Sequence, residues 1–477
     1  MSTLRSSLLA FRRLDRTWKY QIPKRTFYLY SPEPFHPIHG REPVWKSAEE
    51  AVEVIESKQR IYVQGGAASP LKLISALTER GKKDKLKDIE VIHAPTQLDC
   101  VFSLPENEGI FRTNSFYVSD PKVREAIKEG RGDFIPIFLS EIPLLFRRGI
   151  INLDVAMISL SPPDSHGFCS LGPNVDCTRS AVQNAKFIIG LVNENVPRTF
   201  GDGIIHSSHV DVMVKCNELL PEFTGVKLTP EIHEIARLIA DDLVQDNATI
   251  QTGIGSLPNA VFDKLAHHKN LGIHTEMFSD GVIDLVEKGA ITNAFKTIQT
   301  GKIVSSFALG TKRLYDFLDD NSFVAMCDCS FTNNISLICQ NPRVTAINTC
   351  LEIDLTGQVC ADSIGSLIYT GVGGQVDFIR GAALSLDGEG VPIIACPSTA
   401  VMGDKITSRI VPSLKPGAGV VTTRAHVHYI VTEYGICNLF GKNLRQRAYE
   451  LIQLANPNYR EELEKAAFER LKCMPSP

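Results

Sequence analysis

The sequence contains no CxxC pair and no Cys/His group at the spacing of a zinc site, although it holds 12 cysteines in 477 residues. That excludes a disulfide framework or a zinc ribbon as the organising element and fits reduced, mostly buried thiols in an intracellular compartment. The closest pair is Cys327-Asp328-Cys329, and a CxC step alone is a weak metal signal. No bound metal is therefore expected. Apolar runs of the roughly 18 residues that a spanning helix needs are also missing, so no membrane partner is expected. Charge of one sign is scarce as well: the net charge is −4 and no basic cluster interrupts the body of the chain. Nucleic acid is a poor partner for such a surface, and a small molecule a better one.

The composition is that of an ordinary globular chain, 43% hydrophobic and 22% charged with 34 Gly and 26 Pro. At roughly 150 residues per domain, about two or three domains are expected, with a core large enough to need no staples.

The N-terminus departs from this balance. Residues 1–26 carry Arg5, Arg12, Arg13, Lys19 and further basic groups against a single acid, Asp15, while Leu4, Leu8, Phe11, Leu14 and Trp18 recur at helical spacing. An Arg-rich, acid-poor amphipathic leader reads as a mitochondrial transit peptide, here residues 1–27, cleaved between about Arg25 and Tyr28. The competing reading is a basic surface helix.

Four prolines (Pro32, Pro34, Pro37, Pro43) predict an irregular lead-in over residues 27–45. A helix over residues 47–57 is expected next. After it comes the strand Arg60 to Val63, the turn Gly65-Gly66-Ala67-Ala68 and a helix from Pro70 to Arg80. Further strands are predicted at residues 89–93, 134–139, 155–160 and 187–191. Strands alternating with helices indicate a mostly parallel sheet covered on both faces. A break near residues 219–227 precedes a helix with Thr229 as N-cap and Pro230 in its first turn, which opens a second α/β unit. That unit repeats the order strand, Gly-rich turn, Pro, helix from Ile250 to His267. Two structurally related domains follow, over residues 28–222 and 223–477.

The segment His274-Thr275-Glu276-Met277-Phe278-Ser279-Asp280-Gly281 puts a carboxylate into an apolar run at the C-terminal end of a strand, where open α/β sheets bind ligands. Glu276 there can serve as base, metal ligand or covalent nucleophile, or sit in a structural ion pair. Three glycine turns, at residues 65–68, Gly253-Ile254-Gly255 and Gly371-Val372-Gly373-Gly374-Gln375, can offer backbone amides to an anion or act as plain connectors. Pro258 stands where a dinucleotide fingerprint needs its third glycine, so NAD is not inferred. His166 reads as a loop histidine, and Arg198 as a carboxylate grip or a surface pair. His426 and His428 are expected on one face of a strand over residues 423–432, with no third metal ligand.

Taken in order, Gln64-Gly65-Gly66-Ala67, Ser161-Pro162-Pro163-Asp164-Ser165-His166-Gly167, Pro197-Arg198-Thr199, Gly253 to Pro258, His274 to Gly281 and Gly371 to Phe378 resemble the acetyl-CoA hydrolase/transferase family of CoA-transferases. The likeness spans residues 45–470. It implies two related open α/β domains of the CoA-transferase type with the active site at their interface. It also implies a transferase that moves CoA from acetyl-CoA or another short acyl-CoA to an acid such as succinate. Glu276 would be the nucleophile, passing through a mixed anhydride and a glutamyl-CoA thioester. Backbone amides of Gly253, Ile254, Gly255, Gly371, Gly373 and Gly374, with Gln375, would serve the oxyanion and CoA. Phe378 and Lys405 would lie near the coenzyme. Coenzyme A is then a co-substrate, with no permanently bound cofactor. The partners are acyl-CoA and short carboxylic acids, the assembly a homodimer, and the location the mitochondrial matrix. An acetyl-CoA hydrolase is the alternative. A nucleotide-linked oxidoreductase and a non-catalytic binder are more distant readings.

Overall fold

Two mainly parallel sheets organise the chain in a computed structural model that describes residues 36–94, 100–224, 228–253 and 255–477. The first has eight strands in the order Val44–Trp45, Val212–Cys216, Phe187–Asn193, Val155–Leu160, Arg60–Val63, Ile89–His93, Phe111–Ser115 and Gly132–Phe134. All seven neighbouring pairs are parallel. Its central strand Val155–Leu160 is buried at every position, which is why it reads as a continuous apolar run and not as an alternation. The second sheet runs Gly272–Ile273, Thr249–Thr252, Thr345–Asn348, Val391–Ala395, Tyr429–Thr432 and Gly435–Asn438. Only its last pair is antiparallel. The fold is thus α/β, built on two open sheets.

In each sheet the strand order reverses at a strand followed by glycines. The chain moves outward from Arg60–Val63 to Ile89–His93 and later returns on the other side through Val155–Leu160. Likewise Thr249–Thr252 is flanked by Gly272–Ile273 on one side and Thr345–Asn348 on the other. Such reversals open a crevice beyond the strand ends, the usual ligand position in this architecture. Gly65-Gly66 lies at the first reversal and Gly253 at the second.

The predicted cap holds: Thr229 accepts a hydrogen bond from Ile232 N–H, and Pro230 opens the helix Pro230–Asp242, whose Ile235, Ala236 and Ile239 are buried. Several boundaries differ from expectation. The lead-in contains a short strand, Val44–Trp45, because the edge strand Val212–Cys216 offers it a parallel partner. The helix expected over residues 47–57 stops early, as Ala48–Val52, although Ser47 and Glu50 form a capping box. The strand expected over residues 134–139 ends at Phe134, and the chain turns into a short 3-10 segment, Leu139–Glu141. The helix expected from Pro258 begins at Ser256 and ends at Lys264. The strand expected over residues 423–432 is only Tyr429–Thr432, since His426 N–H bonds back to Thr423 O and makes a turn there. His426 and His428 therefore do not alternate on one strand. The proposed leader, residues 1–27, lies outside the described residues. Among the described residues, no helix is long and apolar enough to cross a membrane.

Candidate active site

Glu276 follows the strand Gly272–Ile273 and precedes the strand Met277–Phe278, in a bend between the two. Its neighbours fix that bend from several sides. Thr275 Oγ1 donates to Thr252 O (2.8 Å) and accepts from Thr252 N–H (3.2 Å), so the end of Thr249–Thr252, just before Gly253, is tied beside Glu276. His274 places Nε2 2.8 Å from Thr332 O and Nδ1 3.2 Å from Asn341 Nδ2. Burial, reinforced by the nearby Lys296 charge, pushes the His274 pKa down to about 3. The ring is thus a neutral imidazole donating to Thr332 O and accepting from Asn341. The Glu276 carbonyl accepts from Ser306 N–H (2.9 Å) and Phe307 N–H (3.2 Å). Pro173 O and Ser306 O in turn accept from Ala308 and from Val175 and Asp176, which binds the first half of the chain to this same segment.

Glu276 as a residue is half-buried, while the protein around its carboxylate removes most of that group's hydration. Asn333 Nδ2 donates to Oε2 at 3.0 Å, and the nearby Gly374 N–H also favours the ionised form. Gly374 is the N-cap of the helix Gln375–Ala383, so the positive end of a helix dipole faces the acid. Burial is the dominant influence and the charge of buried Asp176 adds to it; the two donors oppose both. The outcome is a pKa raised to about 7. Tyr117 stands close enough to feel the Glu276 charge, and with burial this pushes its phenol up to about 12.

The predicted glycines fall in two groups. Gly253 and Gly255 have no atom of the described residues near where a side chain would begin, and Gly255 has φ 119° at the start of the helix Ser256–Lys264. Ile254 lies outside the described residues. Gly371 packs against the first half of the chain, where a Cβ would sit 2.9 Å from Phe116 O. Gly373 has φ 61° and its carbonyl accepts from Leu139 N–H at 3.0 Å, a contact between the two halves. Gln375 is placed differently from an oxyanion donor: its Nε2 donates to Thr349 O (2.7 Å) and its Oε1 accepts from Thr422 (2.9 Å). Phe378 is fully buried with its ring against His274, and Lys405 is exposed on the hairpin Thr399–Met402 and Lys405–Ser408.

Other singled-out residues have structural partners. Arg198 pairs with Asp164 at 2.8 Å, and Asp164 also accepts the N–H groups of His166 and Phe168. Gln64 is buried and bridges three backbone groups, at Leu171, Asn174 and Ser159. Asp328, between the two cysteines of the CxC step, holds Arg147 at 2.7 Å. Asn333, Asp176 and Tyr117 were not anticipated from sequence. No local pattern marks them, because each reaches Glu276 from a distant segment.

Two family models match the chain, the acetyl-CoA hydrolase/transferase N-terminal domain over residues 42–223 and the corresponding C-terminal domain over residues 310–467. The chain belongs to the acetyl-CoA hydrolase/transferase family. A Fasciola hepatica member named succinyl-CoA:acetate/propanoyl-CoA:succinate CoA transferase is 54% identical, covering 95% of this chain and 94% of that protein. The 4-hydroxybutyrate coenzyme A transferase of Clostridium kluyveri is 43% identical over 87% of this chain and 95% of its own. Among solved structures, the 4-hydroxybutyrate CoA-transferase of Porphyromonas gingivalis superposes with a TM-score of 0.75 at 34% identity, covering 90% of this chain and 98% of that one. Glu276 falls between the two matched stretches of this family member, so the case for it is made by the geometry.

Proposed function

We propose that this family member transfers coenzyme A between short acyl-CoA thioesters and carboxylic acids, acetate and succinate among them, with Glu276 as the covalent nucleophile. One observation carries the reading: a desolvated carboxylate, its pKa raised to about 7, receives the Asn333 amide on Oε2 and has the Gly374 N–H close by, in a residue that is only half-buried. The other oxygen, Oε1, attacks the thioester carbonyl. A C–O bond forms, the C–S bond breaks, and CoA leaves as thiolate. The thiolate then attacks Cδ of the mixed anhydride, forming a C–S bond and releasing the acyl group as a carboxylate. During that attack negative charge gathers on Oε2, where Asn333 already points, with the Gly374 N–H close by. Donors set in place before charge develops need no reorganisation, and one such donor contributes about 3 kcal/mol to lowering a barrier. A second carboxylate reverses the steps and leaves as a new acyl-CoA, so thioester energy is retained without ATP.

The relatives at 54% and 43% identity carry transferase names, which supports transfer over hydrolysis. Coenzyme A is a co-substrate in this reading and the assembly a homodimer, the commonest closed symmetry. Import into the mitochondrial matrix directed by residues 1–27 belongs to the same proposal, supported by the Arg-rich composition of that stretch.

Intact-mass spectrometry after incubation with acetyl-CoA is the test. A CoA-sized adduct on the peptide containing Glu276, absent from Glu276→Ala, is expected. An undiminished exchange rate in that variant would discard the nucleophile. CoA release that ignores added succinate would favour a hydrolase. Protein recovered from mitochondria with Met1 intact would remove the leader.

A further inference from the structure

Asn333 is completely buried, and its Oδ1 has no hydrogen-bond partner among the described residues. The carbonyl end of this amide therefore does nothing to fix its orientation. The amino end meets two carboxyl groups instead: Nδ2 lies 3.0 Å from Glu276 Oε2 and 3.4 Å from Asp377 Oδ2. Asp377 is itself buried and anchored from the other half of the chain, its Oδ1 accepting from Ser140 Oγ at 3.0 Å. Ser140 belongs to the segment Leu139–Glu141, whose Leu139 N–H holds Gly373 O. A continuous line thus runs from Ser140 through Asp377 and Asn333 to Glu276.

We propose that Asp377 is a positioning residue for CoA transfer: by taking one N–H of the Asn333 amide, it aims the other at Oε2 of Glu276, the oxygen on which charge gathers. The proposal rests on the reading of Glu276 as nucleophile. Asp377 itself touches only Ser140 and Asn333 among the described polar contacts, so it acts through the amide. An aspartate at this place has a second property. Burial, with the Glu276 charge adding to it, raises its pKa to about 8. Neutral Asp377 is a weak acceptor that shares the amide; ionised, it is a strong one that draws Nδ2 away from Glu276 and repels the charge growing on Oε2. Few other charges face it. The strands Thr345–Asn348 and Val391–Ala395 and the helix Ile335–Ile338, which pack against the Asp377 helix, carry no titratable side chain. What remains is Glu276 across the amide with Asp176 and Tyr117 behind it, Arg380 one turn along the same helix, and Glu141, exposed beside Ser140.

The experiment is the pH dependence of kcat for acetyl-CoA and succinate in wild type, Asp377→Asn and Asp377→Ala, with the CoA adduct followed by mass in each. Wild-type kcat is expected to fall as pH rises through about 8, the value at which Asp377 ionises. In Asp377→Asn, which has the size of the neutral acid and does not ionise, that alkaline limb should disappear. Asp377→Ala should lose kcat on the order of ten- to a hundredfold, the scale of a misdirected donor, with KM nearly unchanged and the adduct still on Glu276. An alkaline limb that persists unchanged in Asp377→Asn, or a wild-type kcat in Asp377→Ala while the adduct forms, overturns the role of Asp377 alone. Absence of any adduct on wild-type Glu276 overturns the nucleophile and this proposal together.

Discussion

A Cβ placed on Gly374 would lie 2.1 Å from Oε2 of Glu276 and equally close to Nδ2 of Asn333, although the backbone there, at φ −105° and ψ 13°, is open to residues with side chains. The glycine is required by the carboxylate and not by the turn. Gly374→Ala should accordingly fold, with a melting temperature within a few degrees of wild type. Its first carbon must push the Glu276 carboxylate or the Asn333 amide aside. A fall in kcat on the order of 10²-fold or more is expected. Wild-type turnover in this variant would show that the contact has no catalytic consequence.

Asn333→Ala removes the one side-chain donor on Oε2 among the described residues. Because that donor acts on charge formed during the reaction, kcat should drop by about 10²–10³ while KM for acetyl-CoA changes little. Steady-state kinetics over a range of acetyl-CoA concentrations separates the two. A loss confined to KM would make Asn333 a binding group.

Glu276 attacks only as a carboxylate, and its pKa is raised to about 7 chiefly by burial. The rate at low substrate should therefore climb about tenfold per pH unit below that value and stop climbing above it, before the fall expected as Asp377 ionises at about 8. Since the Asn333 hydrogen bond favours the ionised form, its removal should move this limb to higher pH. Glu276 and Asp377 influence one another, so the apparent values belong to the pair. A limb centred near 4 to 5, the range of an ordinary glutamate, would contradict the desolvated environment.

Lys296 is buried with its ammonium nitrogen 2.7 Å from Ile273 O and 2.6 Å from Lys302 O, and burial lowers its pKa to about 7. An unfolded lysine titrates near 10.4. Between these values the unfolded chain holds a proton that the folded chain lacks, so this residue makes stability rise with pH across the window and fall as pH drops through it. Lys296→Met should flatten that dependence. Urea midpoints for both proteins from pH 7 to 10 provide the measurement, because other groups titrate alike in each. A constant difference between the two curves would refute the shifted lysine.

The local order of strand, glycine turn and helix around Arg60–Val63 and Thr249–Thr252 was legible because apolar runs, glycines and prolines act within a few residues of one another. Thr229 and Pro230 marked a helix start for the same reason. His426 and His428 misled, since a single turn hydrogen bond, His426 to Thr423, overrides an alternation that looks like a strand. Gln375 sits in a suggestive glycine loop, yet its amide is taken up by Thr349 and Thr422, contacts that no local pattern announces.

The sequence by itself determined that Glu276 lies close past a strand, though in a bend and not at the strand's last residue, and that glycines follow the strands Arg60–Val63 and Thr249–Thr252, because these follow from hydrophobic period and turn chemistry along the chain. Tertiary structure alone decided what that carboxylate can do. Its acidity depends on water excluded by both halves and on Asn333, 57 residues away, with Asp377 and Ser140 beyond it. Electrostatic effects act through space, so they become readable only once the chain has closed around the acid.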